Sequence, residues 1–163
     1  MFVDFKNSQT KDNLMRAFAG ESQARNRYTF AAGQAKQQKL QVLAEIFTYT
    51  ANQEKEHAEI FYNFLKDLSG ETITVDGTYP VDIDPSIQKI LRCAEHNELE
   101  EHDVVYKSFA EIAKEEDGYV ELPKFYTFPS KEVRERILYK NFLRVGIEVK
   151  TMIAEIQRKA NAK

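Results

Sequence analysis

Two stretches of this chain set acidic side chains in the middle of apolar helical stripes, and the second stretch repeats the first. Glu21 is followed after 33 residues by Glu54, the head of Glu54-Lys55-Glu56-His57, and Glu98 is followed after 34 by Glu132. The tyrosines keep nearly the same step: Tyr28 follows Glu21 by seven and Tyr106 follows Glu98 by eight. A helix with one inward carboxylate, then a helix with a paired motif, used twice over, is the layout by which a four-helix bundle builds a two-metal carboxylate site. The fold class expected is therefore all-α.

A chain of 163 residues is long enough for one domain with a substantial core, and residues 1–163 read as a single unit. A hydrophobic fraction of 42% with 30% charged residues is ordinary for a globular protein and supplies no membrane span. The net charge of -3 argues against nucleic acid, whose phosphates require a basic face. The N-terminal Met1-Phe2-Val3-Asp4-Phe5-Lys6-Asn7-Ser8 has neither the basic nor the apolar region of a secretory signal, so the cytoplasm is the expected location. Cys93 stands alone, which excludes an internal disulfide and any four-thiolate metal site within one chain; between Leu91 and Ala94 it reads as a small buried residue.

Four helices are expected, over about 10–39, 40–69, 85–117 and 130–160. Leu14, Ala17, Phe18, Glu21, Ala24 and Tyr28 mark the stripe of the first, and Phe47, Thr50, Glu54, His57 and Phe61 that of the second, which Gly70 stops. Residues 71–80 are rich in turn and β-branched types and are long enough to cross the bundle end to end. Asp84-Pro85 predicts the start of the third helix, with Ile90, Ala94, Glu98, Glu101, Val105 and Phe109 on its inner face. Gly118 closes it. Val120 to Phe128 has a helical pattern but holds Pro123 and runs into Pro129, so a break or kink is expected before the last helix, which carries Glu132, Glu135, Tyr139 and Phe142 and is long enough to extend past the bundle.

Residues three apart lie on one face of a helix, so Glu54 and His57 both reach one metal centre. One helical glutamate is usually a solvated one. Six at matched depth among apolar neighbours are different, since each bare carboxylate costs several kcal/mol and protonation alone does not relieve so many. A pair of divalent cations does, and carboxylate with some imidazole suits iron or manganese better than zinc. Arg25, one turn after Glu21, is a candidate ion-pair partner for a site carboxylate. His96 and His102 lack a glutamate three residues earlier and read as surface or supporting groups. Tyr28 and Tyr106 read as core tyrosines whose hydroxyls need partners, the nearest being a ligand carboxylate.

Phe18-Ala19-Gly20-Glu21-Ser22-Gln23-Ala24-Arg25-Asn26-Arg27-Tyr28 and Ala51-Asn52-Gln53-Glu54-Lys55-Glu56-His57-Ala58 closely resemble the diiron domain of rubrerythrins. The likeness continues through Tyr79-Pro80, Glu98-x-x-Glu101, Tyr106-x-x-Phe109-Ala110 and Glu115-Glu116-x-Gly118-Tyr119. The resemblance implies a ferritin-like bundle with a long crossover between helices 2 and 3, a pair of non-haem iron ions, reduction of hydrogen peroxide to water, and a homodimer or larger assembly, with helices exchanged between subunits as one option. By motif, it implies the ligands Glu21, Glu54, His57, Glu98, Glu101 and Glu132. Glu101, His57 and Tyr28 would serve the reaction, with Glu101 or His57 shifting as the site changes charge, and Glu54 and Glu132 bridging two ferrous ions that give one electron each to the O–O bond.

Two departures alter that expectation. The sequence has no four-cysteine rubredoxin segment, so electrons are expected from a separate donor such as a rubredoxin. The family's last helix carries Glu-x-x-His, where this chain has Glu132-Val133-Arg134-Glu135. Either Glu135 ligates in place of the imidazole, which would favour the ferric state, or it points away and one metal position is weak. Two other classes of function stay open at this point: iron handling of the ferroxidase kind, and a helical binding module whose metal site is impaired.

Overall fold

The computed structural model describes residues 3–116 and 120–121. Helix α1 (Gln9–Gln37) is started by Ser8, whose Oγ accepts from the Lys11 amide at 3.0 Å. A second cap comes from far along the chain: the Glu116 carboxylate accepts from the Gln9 and Thr10 amides at 2.8 and 2.7 Å. A carboxylate on exposed helix-start N–H groups is favourable both as a hydrogen bond and against the helix dipole. The helix ends in two bonds, Lys39 N–H to Lys36 O at 3.0 Å and Leu40 N–H to Ala35 O at 2.9 Å, with Lys39 at φ 61°. That left-handed residue reverses the chain into α2 (Gln41–Asn63).

The α2 helix stops earlier than its apolar stripe. After Asn63 the chain tightens into a 3-10 turn at Lys66–Leu68, and Gly70, at φ 90°, lies beyond that turn and does not cap the α-helix itself. From there an extended crossover runs beside α1 in the same direction. Arg16 binds Asp76, Arg27 binds Asp82, Gln34 donates to Asp84 O and Gln38 donates to Pro85 O. Between Arg16 and Gln38 a helix rises roughly 33 Å, and between Asp76 and Pro85 an extended chain covers roughly 30 Å. The two match, so the crossover is a taut strap along the full height of the bundle.

The third rod begins with Ser86 as the capping residue, not with Asp84; Asp84 instead accepts from the Ser86 amide at 2.8 Å and sets up the turn before it. The rod is also not one regular helix. It consists of α3 (Ile87–Glu100), a π turn (Glu101–Val105) and α4 (Tyr106–Glu116), with the Tyr106 amide bonded to Glu101 O, five residues back. Val120–Glu121, expected within a helical pattern, is extended and pairs in parallel with Val3–Asp4. These are β2 and β1, two residues each. Gly118, Pro123, Pro129 and the expected helix over 130–160 lie outside the described residues.

Contacts fix the directions. Glu21 meets His57, and Tyr28 stacks on Phe47, so α2 is antiparallel to α1. Tyr28 meets Glu98, Glu21 meets Tyr106 and Thr10 meets Glu116, so the third rod is antiparallel to α1 as well. Two consecutive rods running the same way cannot be joined by a hairpin, which is why the strap exists. The apolar core falls into two clusters, one around Leu14, Phe61, Leu65 and Ala110, the other around Ala35, Phe47, Ile87 and Ile90. The carboxylate layer lies between them. Among the described residues, no helix is long and apolar enough to cross a membrane.

Candidate metal centre

Glu21 from α1 and Glu54 and His57 from α2 converge in the gap between the two clusters, and none is more than 1% exposed. The small Ala17, Ala24, Ala51 and Ala58, one turn away along the same stripes, let the two helices approach closely enough for this. His57 Nδ1 lies 3.2 Å from Glu54 Oε2 and 3.3 Å from Glu21 Oε2. One ligand atom from each residue lies within 4.8 Å of the others, a spacing that a shared cation can span.

Each tyrosine holds a carboxylate from the other half of the repeat. Tyr28 donates to Glu98 Oε1 and Tyr106 donates to Glu21 Oε1. Burial, then the adjacent carboxylate charges, push both phenols far above their ordinary range, so both stay donors at neutral pH. One oxygen of each carboxylate is thereby fixed. Of the other oxygens, Glu98 Oε2 is buried with no hydrogen-bond partner, Glu54 Oε1 is in the same condition, and Glu21 Oε2 is buried 3.3 Å from His57 Nδ1. Buried carboxylate oxygens left in that state cost free energy unless a cation meets them.

The electrostatics divide the acids. Burial pushes the Glu54 carboxyl well above its ordinary range, and the charges of Glu98 and Glu21 push the same way. Glu101 rises for like reasons, burial first and then the Glu98 and Glu21 charges. Burial lifts Glu98 to about 7 against the pull of Tyr28's hydrogen bond. Glu21 alone goes down: burial is the largest single influence and acts upward, but hydrogen bonds with His57 and Glu54, the His57 charge and the bond from Tyr106 together outweigh it. Without a cation, then, the surroundings favour the charged form of Glu21 and the neutral forms of Glu54 and Glu101.

Of the residues singled out in the sequence, Glu21, Glu54 and His57 form the convergent group, Glu98 is buried beside them, and Glu101 is half-buried at the start of the π turn. Glu132 and Glu135 lie outside the described residues. Arg25 is exposed on α1 and, among the described residues, pairs with none of the site acids; the neighbouring arginine is Arg27, bound to Asp82 at 2.5 Å and lying 5.6 Å over the Tyr28 ring. Sequence reasoning missed Arg27, Asp82 and Asn97, which donates to Asp82 at 2.7 Å. No spacing rule links residues brought together by the strap. Cys93, expected to be buried, is half-buried, with its thiol pushed up by burial and by Asp82. His96 is exposed, as expected.

A family model described as Rubrerythrin matches residues 12–125. The chain is 38% identical over 142 residues to a rubrerythrin of Clostridium perfringens, covering 86% of this chain and 71% of that protein. It is 44% identical over 122 residues to a rubrerythrin of Porphyromonas gingivalis, covering 75% and 59%. A rubrerythrin of Nitratidesulfovibrio vulgaris is 39% identical over 145 residues, covering 89% and 73%. This chain thus spans between 59% and 73% of the length of these three relatives.

Proposed function

The chain belongs to the rubrerythrin family of ferritin-like diiron oxidoreductases, and from that premise we propose that it is a peroxidase that reduces hydrogen peroxide to water in defence against oxidative stress. The observation that carries the proposal is the buried convergence of Glu21, Glu54 and His57, with carboxylate oxygens of Glu54 and Glu98 left without hydrogen bonds. Carboxylate oxygens with one imidazole fit iron, with manganese as the nearest alternative. Glu21, Glu54, His57, Glu98 and Glu101, with Glu132 and Glu135 from later in the chain, would hold two ions. When bound, a ferrous pair supplies the two electrons that cleave the O–O bond.

The protein's own part is positioning and proton control. Tyr28 and Tyr106 each occupy one carboxylate oxygen and so aim the other inward. Burial of Glu21, Glu54 and His57 keeps bulk water from the layer. Glu101, half-buried and outside either tyrosine's grip, is the carboxylate with room to change position as charge changes. Electrons would come from a separate donor such as a rubredoxin, and a cytoplasmic homodimer is the assembly proposed.

The test is anaerobic iron loading of the full chain, addition of hydrogen peroxide, and re-reduction by added rubredoxin, followed by the optical spectrum of the site. Two irons per chain, oxidation by peroxide and repeated re-reduction are expected. Oxidised iron accumulating on the protein without turnover would favour iron handling instead. Far fewer than two irons per chain would point to a binding module.

A further inference from the structure

A cleft of about 460 Å³ opens beside the carboxylate layer, between α1, the crossover and the third rod. Arg16 and Gly20 line it from α1, Tyr79 from the strap, and Glu101, Val105 and Phe109 from the far side. Tyr106, which donates to Glu21, also borders it, so Tyr106 and Glu101 are the side chains that separate the cleft from the candidate metal centre.

The walls are fixed in place. Tyr79 lies across Gly77, where a Cβ would come within 2.7 Å of the phenol oxygen, and against Gly20, where a Cβ would sit at 3.8 Å. A side chain at residue 77 would therefore displace the ring. The strap below it is pinned by Arg16, which bonds Asp76 through O at 3.1 Å and Oδ1 at 2.8 Å.

Size and chemistry decide what such a cleft suits. A water molecule takes about 30 Å³ of liquid and hydrogen peroxide, one oxygen larger, less than twice that, so the cleft is several times larger than peroxide needs. It falls within the range of small-molecule pockets, roughly 300–1,000 Å³. Val105, Phe109, Pro80 and Ala17 give it apolar surface, while the exposed Glu100 makes it unfavourable to anions. The Arg16 guanidinium is already engaged by Asn13 and Asp76.

We propose that this cleft seats the organic group of a compact, uncharged organic hydroperoxide, ROOH, with its O–O bond directed past Glu101 to the site. This rests on the peroxidase reading above. The reaction is ROOH plus two electrons and two protons giving ROH and water: the O–O bond breaks, and each oxygen left negative by the electron pair takes up one proton from solvent. The electrons are those of the ferrous pair, restored by the same protein donor.

The experiment compares cumene hydroperoxide with hydrogen peroxide as substrates of the iron-loaded full chain, and measures binding of the product alcohol, 2-phenyl-2-propanol, by calorimetry. A kcat/KM for cumene hydroperoxide within about ten-fold of that for hydrogen peroxide is expected, with one alcohol bound per chain. Thr78 is exposed and borders the cleft, so Thr78→Trp should fill it. That variant is expected to lower kcat/KM for cumene hydroperoxide at least ten-fold, abolish alcohol binding and leave hydrogen peroxide turnover within two-fold. Val105→Trp, from the opposite wall, should reproduce the result. Turnover of hydrogen peroxide with no alcohol binding and no activity on cumene hydroperoxide would overturn the proposal, as would equal losses on both substrates in the variants. Alcohol binding that Thr78→Trp abolishes, in a chain that does not reduce hydrogen peroxide, would count against the peroxidase reading and leave the cleft assignment standing.

Discussion

Tyr106 on α4 donates its hydroxyl to Glu21 on α1, and the mirror of that bond joins Tyr28 on α1 to Glu98 on α3. Each half of the internal repeat thus supplies a carboxylate and a phenol, and each phenol serves the other half's carboxylate. The two bonds cross between the same pair of antiparallel rods. They tie the rods together at the level where the acids would otherwise repel.

Removing one phenol oxygen should therefore cost both stability and metal affinity. Tyr106→Phe keeps the ring against Phe61 and Phe109 but leaves the buried, anionic Glu21 short of a donor. A hydrogen bond to a charged group contributes about 1.5–3 kcal/mol, which for a domain of this size lowers Tm by roughly 2–4 °C per kcal/mol. Iron affinity is expected to fall about 10- to 100-fold, the usual effect of losing a group that orients a ligand. Thermal unfolding and an anaerobic iron titration check this; a variant unchanged in both would mean that His57 alone holds Glu21.

Lys39 occupies a position that glycine suits better. At φ 61° it closes α1, with the Leu40 amide bonded to Ala35 O. A side chain in that conformation costs about 1–2 kcal/mol, partly offset by the greater freedom glycine has when unfolded. Lys39→Gly is expected to stabilise the protein by about 0.5–1 kcal/mol. The readout is a higher urea midpoint at unchanged slope; a lower midpoint would show that the lysine side chain contributes more than its backbone strain costs.

The repeat also carried the least obvious feature of the backbone, in a form that spacing alone did not disclose. Seven residues separate Glu21 from Tyr28, and eight separate Glu98 from Tyr106. At about 100° per residue, seven steps return to nearly the same helix face and eight overshoot by roughly 80°. The π turn at Glu101–Val105 absorbs the additional residue and brings Tyr106 back to the inner face. Helical periodicity located Glu21, Glu54, His57 and Glu98 because burial imposes it directly. It could not place the Arg27–Asp82–Asn97 network, where an extended strap meets two helices at separations set by tertiary packing. Nor could it find the end of α2, since the apolar stripe continues through the 3-10 turn to Leu68.

The unequal charge states of Glu54 and Glu21 predict opposite responses to the same substitution. Burial and the neighbouring carboxylates favour the neutral form of Glu54 in the metal-free fold, so Glu54→Gln puts a neutral group of like shape where the fold already disfavours charge. Its metal-free Tm should hold or rise, while iron binding fails. Glu21 is the anion that accepts from Tyr106 and faces His57, so Glu21→Gln should lower the metal-free Tm as well as iron binding. Calorimetry on both metal-free variants decides; equal Tm losses would contradict the assigned charges.

The same charges set a pH dependence that metal should abolish. Folded Glu98 titrates at about 7 against an ordinary 4.5, and Glu54 and Glu101 are also raised, so the folded chain holds protons that the unfolded chain releases. Stability of the metal-free protein is therefore greatest near the bottom of that window and falls as pH rises from about 4.5 through 7 and beyond. Glu21 runs the other way, contributing stability above 4.5 that is lost only in stronger acid. Cations binding the carboxylates must displace the held protons. Ferrous loading at pH 6 in weak buffer is thus expected to release more protons per iron than loading at pH 8, and the loaded protein should lose the fall in Tm between those values. A pH-stat and paired melting curves measure both, and the absence of proton release at either pH would show the acids to be ionised before the metal arrives.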